Sequence, residues 1–114
     1  MACGSLGYVT IGDFERLDIR VGRVVSVERV PRAKSLYRIK VDIGGGVIRQ
    51  TIAGLVGHYA QEELQGKKVV FLANLKPKRF MGQVSEGMLL AAEAEGKVAL
   101  LTIDRDVPEG SRVR

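Results

Sequence analysis

The chain reads as all-β: a five-stranded closed barrel with short helices and a C-terminal extension. Three observations predict it. Apolar and polar residues alternate with period two over much of the first half, the mark of strands with one dry and one wet face. Gly and Pro cut these segments into pieces of strand length. Helical spacing interrupts them briefly, near the start and again after the third strand.

In chain order, Thr10 with Asp13 forms a capping-box pattern, and Ile11, Phe14 and Leu17 repeat at helical spacing, which predicts a short helix. Ile19, Val21, Val25 and Val27 then alternate with Arg20, Gly22, Val24 and Ser26, giving a long strand over 19–30 with a bend or bulge at Gly22. Pro31 ends it. Tyr37, Ile39, Val41 and Ile43 alternate with Leu36, Arg38, Lys40 and Asp42 in a second strand with one dry and one basic face. Gly44-Gly45-Gly46 turns the chain into a third strand, 47–52. Leu55, Tyr59 and Leu64, around Glu62 and Glu63, predict a helical turn before Gly66. Residues 67–73 read as a fourth strand, and 88–92 pairs with 98–103 across a Glu95-Gly96 turn.

Three strands, a helical segment and further strands is the order of an OB-fold barrel, although other small barrels share it. A length of 114 residues fits one domain, with residues 1–10 as a tail and 11–114 as the folded unit. The net charge of +5 favours an anionic partner and also serves solubility. Cys3, the single cysteine, permits no internal disulfide and suits a reducing cytosol. With one histidine besides, a zinc site of the usual four-ligand kind cannot be assembled. No apolar run approaches the roughly 20 residues of a membrane helix, and the start Met-Ala-Cys-Gly-Ser lacks the charged and apolar regions of a signal peptide. These features predict a cytoplasmic protein without cofactor or metal.

The most informative stretch is residues 74–92. Lys76, Lys78 and Arg79 can neutralise phosphates, Ser85 can bond phosphate or base edges, and Met88 offers a polarizable surface to a base. Taken without any resemblance, Met88 followed by Leu89 and Leu90 reads more readily as a core position. A second cluster, Arg29, Arg32, Lys34, Arg38 and Lys40, contains no acid between its ends, and alternation puts Arg38 and Lys40 on one strand face. It fits either a strand edge charged against aggregation or a phosphate-binding surface. Tyr8, Phe14, Tyr59 and Phe71 read as packing residues, and His58 as a hydrogen-bonded structural histidine, because no nucleophile or carboxylate motif accompanies it. Gly44 to Gly46 lacks the following Gly-Lys-Ser/Thr of a phosphate loop. The chemistry is that of binding, not catalysis.

Residues 74–88 resemble the tRNA-binding domain family when taken with Asp13-Phe14, Leu17 to Gly22, Ala53-Gly54-Leu55, His58-Tyr59, Glu62-Glu63-Leu64, Gly66 to Val69 and Asp106 to Ser111. This family includes domains appended to methionyl-tRNA synthetases, stand-alone tRNA-binding proteins and a secretion-chaperone branch. The resemblance covers residues 11–113 and implies the OB fold. It implies a tRNA-facing role for Asn74, Lys76, Lys78, Arg79, Ser85 and Met88, each of which matches the family pattern. The loop before the second strand departs from it. Ser35 stands where many members carry lysine, and Val30, Arg32 and Lys34 replace the common His, Asn and acidic residues. Lys34 is expected to supply the missing charge from one position earlier, beside Arg38 and Lys40.

The expectation is a non-catalytic protein that recognises tRNA shape and backbone and assists methionyl-tRNA synthetase in trans. The alternative is a secretion-type chaperone that binds unfolded peptides, a branch that tends to lose the Ser-x-Gly-Met pattern kept here as Ser85-Glu86-Gly87-Met88. Stand-alone members pair through segments outside the barrel, which implies a homodimer formed by Ile11 to Leu17 and Val98 to Val113.

Overall fold

The computed structural model describes residues 7–114, which contain two short helices and nine strands. In order these are α1 (Ile11–Glu15), β1 (Ile19–Arg29), β2 (Tyr37–Asp42), β3 (Ile48–Ala53), α2 (Gln61–Leu64), β4 (Lys68–Leu72), β5 (Lys78–Phe80), β6 (Gln83–Ser85), β7 (Met88–Leu89), β8 (Ala91–Ala94) and β9 (Lys97–Leu100). The first six residues, with Cys3 and most of the expected tail, lie outside the described residues.

Five strands form an antiparallel sheet in the order β3-β2-β1-β4-β7, which curls into the nearly closed barrel of an OB fold. The inward side of each strand supplies the core. Ile39, Val41, Val69, Phe71 and Leu64 are fully buried, with Leu64 carried by α2 across one end of the barrel. Side chains close the seam between β3 and the turn before β7. Thr51 Oγ1 and Ser85 Oγ both reach the Gly87 carbonyl, at 3.0 and 3.1 Å, and the Ile52 N–H donates to Ser85 Oγ at 3.2 Å.

β4 is buried on both faces. Val69 and Phe71 point into the barrel, whereas Val70 and Leu72 pack with Ile19, Leu90 and Val113 in a second small cluster outside it. The C-terminal segment covers that cluster by running along the first half of β1, where Val21 N–H donates to Ser111 O at 2.9 Å and Val113 N–H to Ile19 O at 2.8 Å. Lys68 fastens the same segment through Asp106 and Glu109, at 3.2 and 3.3 Å.

The bulge in β1 falls between Val24 and Ser26, not at Gly22. With valines at 24, 25 and 27, the sequence cannot show which one turns outward; Val24 is 1% exposed and Val25 38%. Gly22 is instead a close approach, since a Cβ there would stand 2.5 Å from Val41 Cγ1. The expected final hairpin forms as β8 and β9 across Glu95-Gly96, starting at Ala91; Met88 and Leu89 belong to the barrel. A further hairpin, β5–β6, was not anticipated. His58 is exposed, and its ring has no hydrogen-bond partner among the described residues. Tyr8 and Phe14 are also exposed rather than packed, whereas Phe71 is buried.

Candidate nucleic-acid interface

β2 positions the first cations. Ile39 and Val41 are drawn into the core, so pleating sends Arg38 and Lys40 to the opposite face. Arg38 Nη2 pairs with Glu28 Oε1 at 2.5 Å across the β1–β2 ladder, and its Nη1 reaches Gln83 Oε1 at 3.3 Å. The Arg38 hydrogen bond holds the Glu28 carboxyl below its ordinary range. Arg38 Nε is enclosed without a partner among the described residues.

The β5–β6 hairpin lies over the same face, held by Gln50 of β3. Gln50 Nε2 donates to Val84 O at 2.8 Å, the Glu86 N–H donates to Gln50 O at 2.7 Å, and the Gln50 N–H returns a bond to Glu86 Oε1 at 2.9 Å. Lys40 is the cross-strand neighbour of Gln50, so it flanks the hairpin base. The strand that carries Lys78 and Arg79 is thereby brought from a distant part of the chain over the face of Arg38 and Lys40, with Lys78 and Arg79 on opposite faces of the hairpin. Lys76 is exposed in the approach to β5, and Lys34 is exposed in the β1–β2 loop, where its carbonyl accepts from Arg29 Nη2 at 3.0 Å.

Of that loop's departures, the structure accounts for Val30 alone. Val30 is buried, 3% exposed, and anchors the loop apolarly. Arg32 holds φ 68°, a left-handed conformation that Asn adopts more readily.

Three expected residues have other surroundings. Asn74 receives the Asp18 N–H on Oδ1 at 2.9 Å and donates from Nδ2 to Arg16 O at 2.8 Å, so its amide is committed to the chain between α1 and β1. Ser85 is 8% exposed and belongs to the barrel seam. Met88, 44% exposed, is outside the core and lines a cleft of about 380 Å³ between β3, β7 and the β8–β9 hairpin. Sequence reasoning missed Gln50 and Gln83, which fix the hairpin. Nothing in the sequence marks them, because a polar residue on a strand's wet face looks like any other.

Among the described residues no cluster of three or more His, Cys, Asp or Glu could hold a metal ion. The site presents side-chain cations and hydrogen-bond donors at a solvent surface, a chemistry suited to phosphate and sugar contacts. Residues 19–112 match the model of the family described as "Putative tRNA binding domain". The chain belongs to the tRNA-binding domain family.

Relatives in this family include the Methionine--tRNA ligase of Archaeoglobus fulgidus, 50% identical over 105 residues, which are 92% of this chain and 16% of that protein. The ligase of Methanocaldococcus jannaschii is 48% identical over 93% of this chain and 16% of its own length. The chain thus spans about one sixth of such relatives' length. Among solved structures, the MetRS related protein from Pyrococcus horikoshii superposes with a TM-score of 0.87 at 39% identity, covering 95% of this chain and 99% of that one. The chaperone CsaA from Bacillus anthracis str. Ames gives 0.84 at 30% identity, covering 95% and 100%.

Proposed function

We propose that this domain binds tRNA, without catalysis, by laying its Arg38, Lys40, Lys78 and Arg79 face against the phosphate backbone, with Lys34 and Lys76 extending it at the rim. The observation that supports the reading is the pinned β5–β6 hairpin, whose first strand bears Lys78 and Arg79 and is held at the strand face of Arg38 and Lys40. Backbone contact of this kind recognises shape rather than sequence. Met88 contributes from the neighbouring cleft, while Ser85 and Asn74 hold the segments that carry the cations. Residues 11–114 form the binding unit, acting in the cytoplasm as an affinity module for methionyl-tRNA synthetase in trans.

The test is a tRNA titration at several salt concentrations. Log affinity falls linearly with log salt at roughly 0.7 to 0.9 per phosphate neutralised, and Lys78→Ala or Arg79→Ala lowers that slope by about one. Affinity that does not respond to salt overturns the electrostatic reading. Displacement of tRNA by an unfolded apolar peptide at matching concentration favours instead a chaperone use of the Met88 cleft.

A further inference from the structure

We propose that the tip of the β5–β6 hairpin, Phe80 with Met81, is a stacking platform for an exposed nucleobase, so that the face grips a splayed or terminal base as well as phosphates. This rests on the RNA-binding reading above and names the part of the ligand that the tip takes.

The first observation is the turn itself. Met81 and Gly82 have φ 49° and 78° between the paired residues Phe80 and Gln83, a two-residue turn with both central residues left-handed. Asn-Gly or Asp-Gly makes that turn with least strain. The chain builds a second turn of the same kind with polar Glu95 and Gly96, at φ 53° and 76°. At 81 it places an unbranched apolar side chain in an unfavourable conformation and leaves it 59% exposed. Neither turn formation nor burial accounts for a methionine there, whereas an apolar contact with a ligand does.

The second observation is what surrounds the tip. Phe80 is 37% exposed, and Lys78 Nζ lies 5.0 Å from its ring centroid. The ammonium covers one face of the ring, so a base seated on the other face has a cation close by for its phosphate; Arg79, one position along, projects from the opposite face of the hairpin. An apolar pair with a cation beside it complements a nucleotide, which offers a flat π-surface and an anion together; an apolar protein partner has no use for the charge. Gln50 holds the middle of the hairpin through Val84 and Arg38 holds Gln83 beside the turn, so the tip arrives ordered and little freedom is lost on contact.

The experiment uses the full chain with Phe80→Ala/Met81→Asn, in which Asn suits the left-handed turn and preserves folding. Wild type and variant are titrated with a tRNA transcript across salt concentrations, and with an RNA stem-loop carrying 2-aminopurine in its loop. The expected result is a loss of tRNA affinity of about 5- to 150-fold at unchanged salt slope, unchanged or raised melting temperature, and quenching of 2-aminopurine by wild type only. Affinity equal to wild type overturns the stacking role. So does equal wild-type affinity for the stem-loop and for one whose loop is abasic, since the phosphates are then all that is read. If Lys78→Ala also leaves affinity and slope untouched, the RNA-binding reading fails as a whole; a slope lowered by Lys78→Ala alone spares that reading and removes only the stacking platform.

Discussion

Within Ser85-Glu86-Gly87-Met88, neighbouring residues do different work. Gly87 is required by packing, because a Cβ would stand 2.4 Å from Phe71 Cζ and 2.6 Å from Leu72 O. Ser85 satisfies the Ile52 N–H and the Gly87 carbonyl at a seam where no backbone ladder can do so. Ser85→Ala strands that N–H and is expected to destabilise the fold by about 1 to 3 kcal/mol. Met88 offers the contrast. A core Met truncated to Ala loses about 2 to 5 kcal/mol, whereas Met88→Ala, at a 44% exposed position, should unfold in urea almost as wild type does. Urea midpoints for the two variants decide the assignment; a stable Ser85→Ala with a crippled Met88→Ala would reverse the roles. The motif was legible as a mark of the family, but which of its residues face inward was not, since two-residue β7 is too short to show a period.

At the scale of elements, strands with one wet face were legible, and their limits came out within about two residues. The β5–β6 hairpin was not, because three-residue strands carry no period and Met81 occupies a turn position where Asn or Gly is the usual signal. Hidden too was the clasp on the C-terminal segment, whose partners are 86 residues apart: Arg23 Nε to Glu109 Oε1 at 2.8 Å. The Arg23 hydrogen bond, followed by contributions from Glu109's own backbone and Lys68, holds the Glu109 carboxyl below its ordinary value of 4.5. A carboxyl whose pKa is lower folded than unfolded stabilises the fold above the unfolded value, and that stability is lost as pH falls through the folded one. Asp18, lowered chiefly by its bond to Arg20, adds in the same direction. Melting temperature should therefore drop as pH falls below about 4.5. Glu109→Gln should melt lower at neutral pH and show a shallower acid dependence. Parallel pH profiles for variant and wild type would exclude the clasp as a source of stability.

For the whole molecule, composition favoured an anionic partner without marking a surface for one, because only the fold brings Arg38 against Gln83 and the hairpin over β2. The same limit applies to the aromatic and apolar residues at the chain's start. Tyr8 and Phe14 looked like packing residues, yet Tyr8, Val9 and Ile11 are 74% exposed or more, and Leu17 and Leu101 about 40%. Ile11, Phe14 and Leu17 border a cleft of about 490 Å³ whose other wall is Arg112, Val113 and Arg114. Exposed apolar residues clustered on a small domain call for a cover, and those around the cleft, Ile11, Phe14, Leu17 and Val113, belong to the two segments expected to pair. We propose a second copy of the chain as that cover. A two-fold contact is self-complementary, so α1 and the C-terminal segment of each protomer would meet the same elements of the other, burying Ile11 and Phe14 against their counterparts. The pairing would also serve binding, because two basic faces held rigidly together raise the effective concentration of the second for a tRNA already on the first. Ile11→Glu with Phe14→Glu leaves the barrel core untouched and should give monomers that bind tRNA more weakly at an unchanged barrel fold. Light scattering at micromolar concentration should read about twice 12.4 kDa for wild type and the single mass for the variant. A wild-type mass of 12.4 kDa with tRNA binding intact would remove both the dimer and its use in binding.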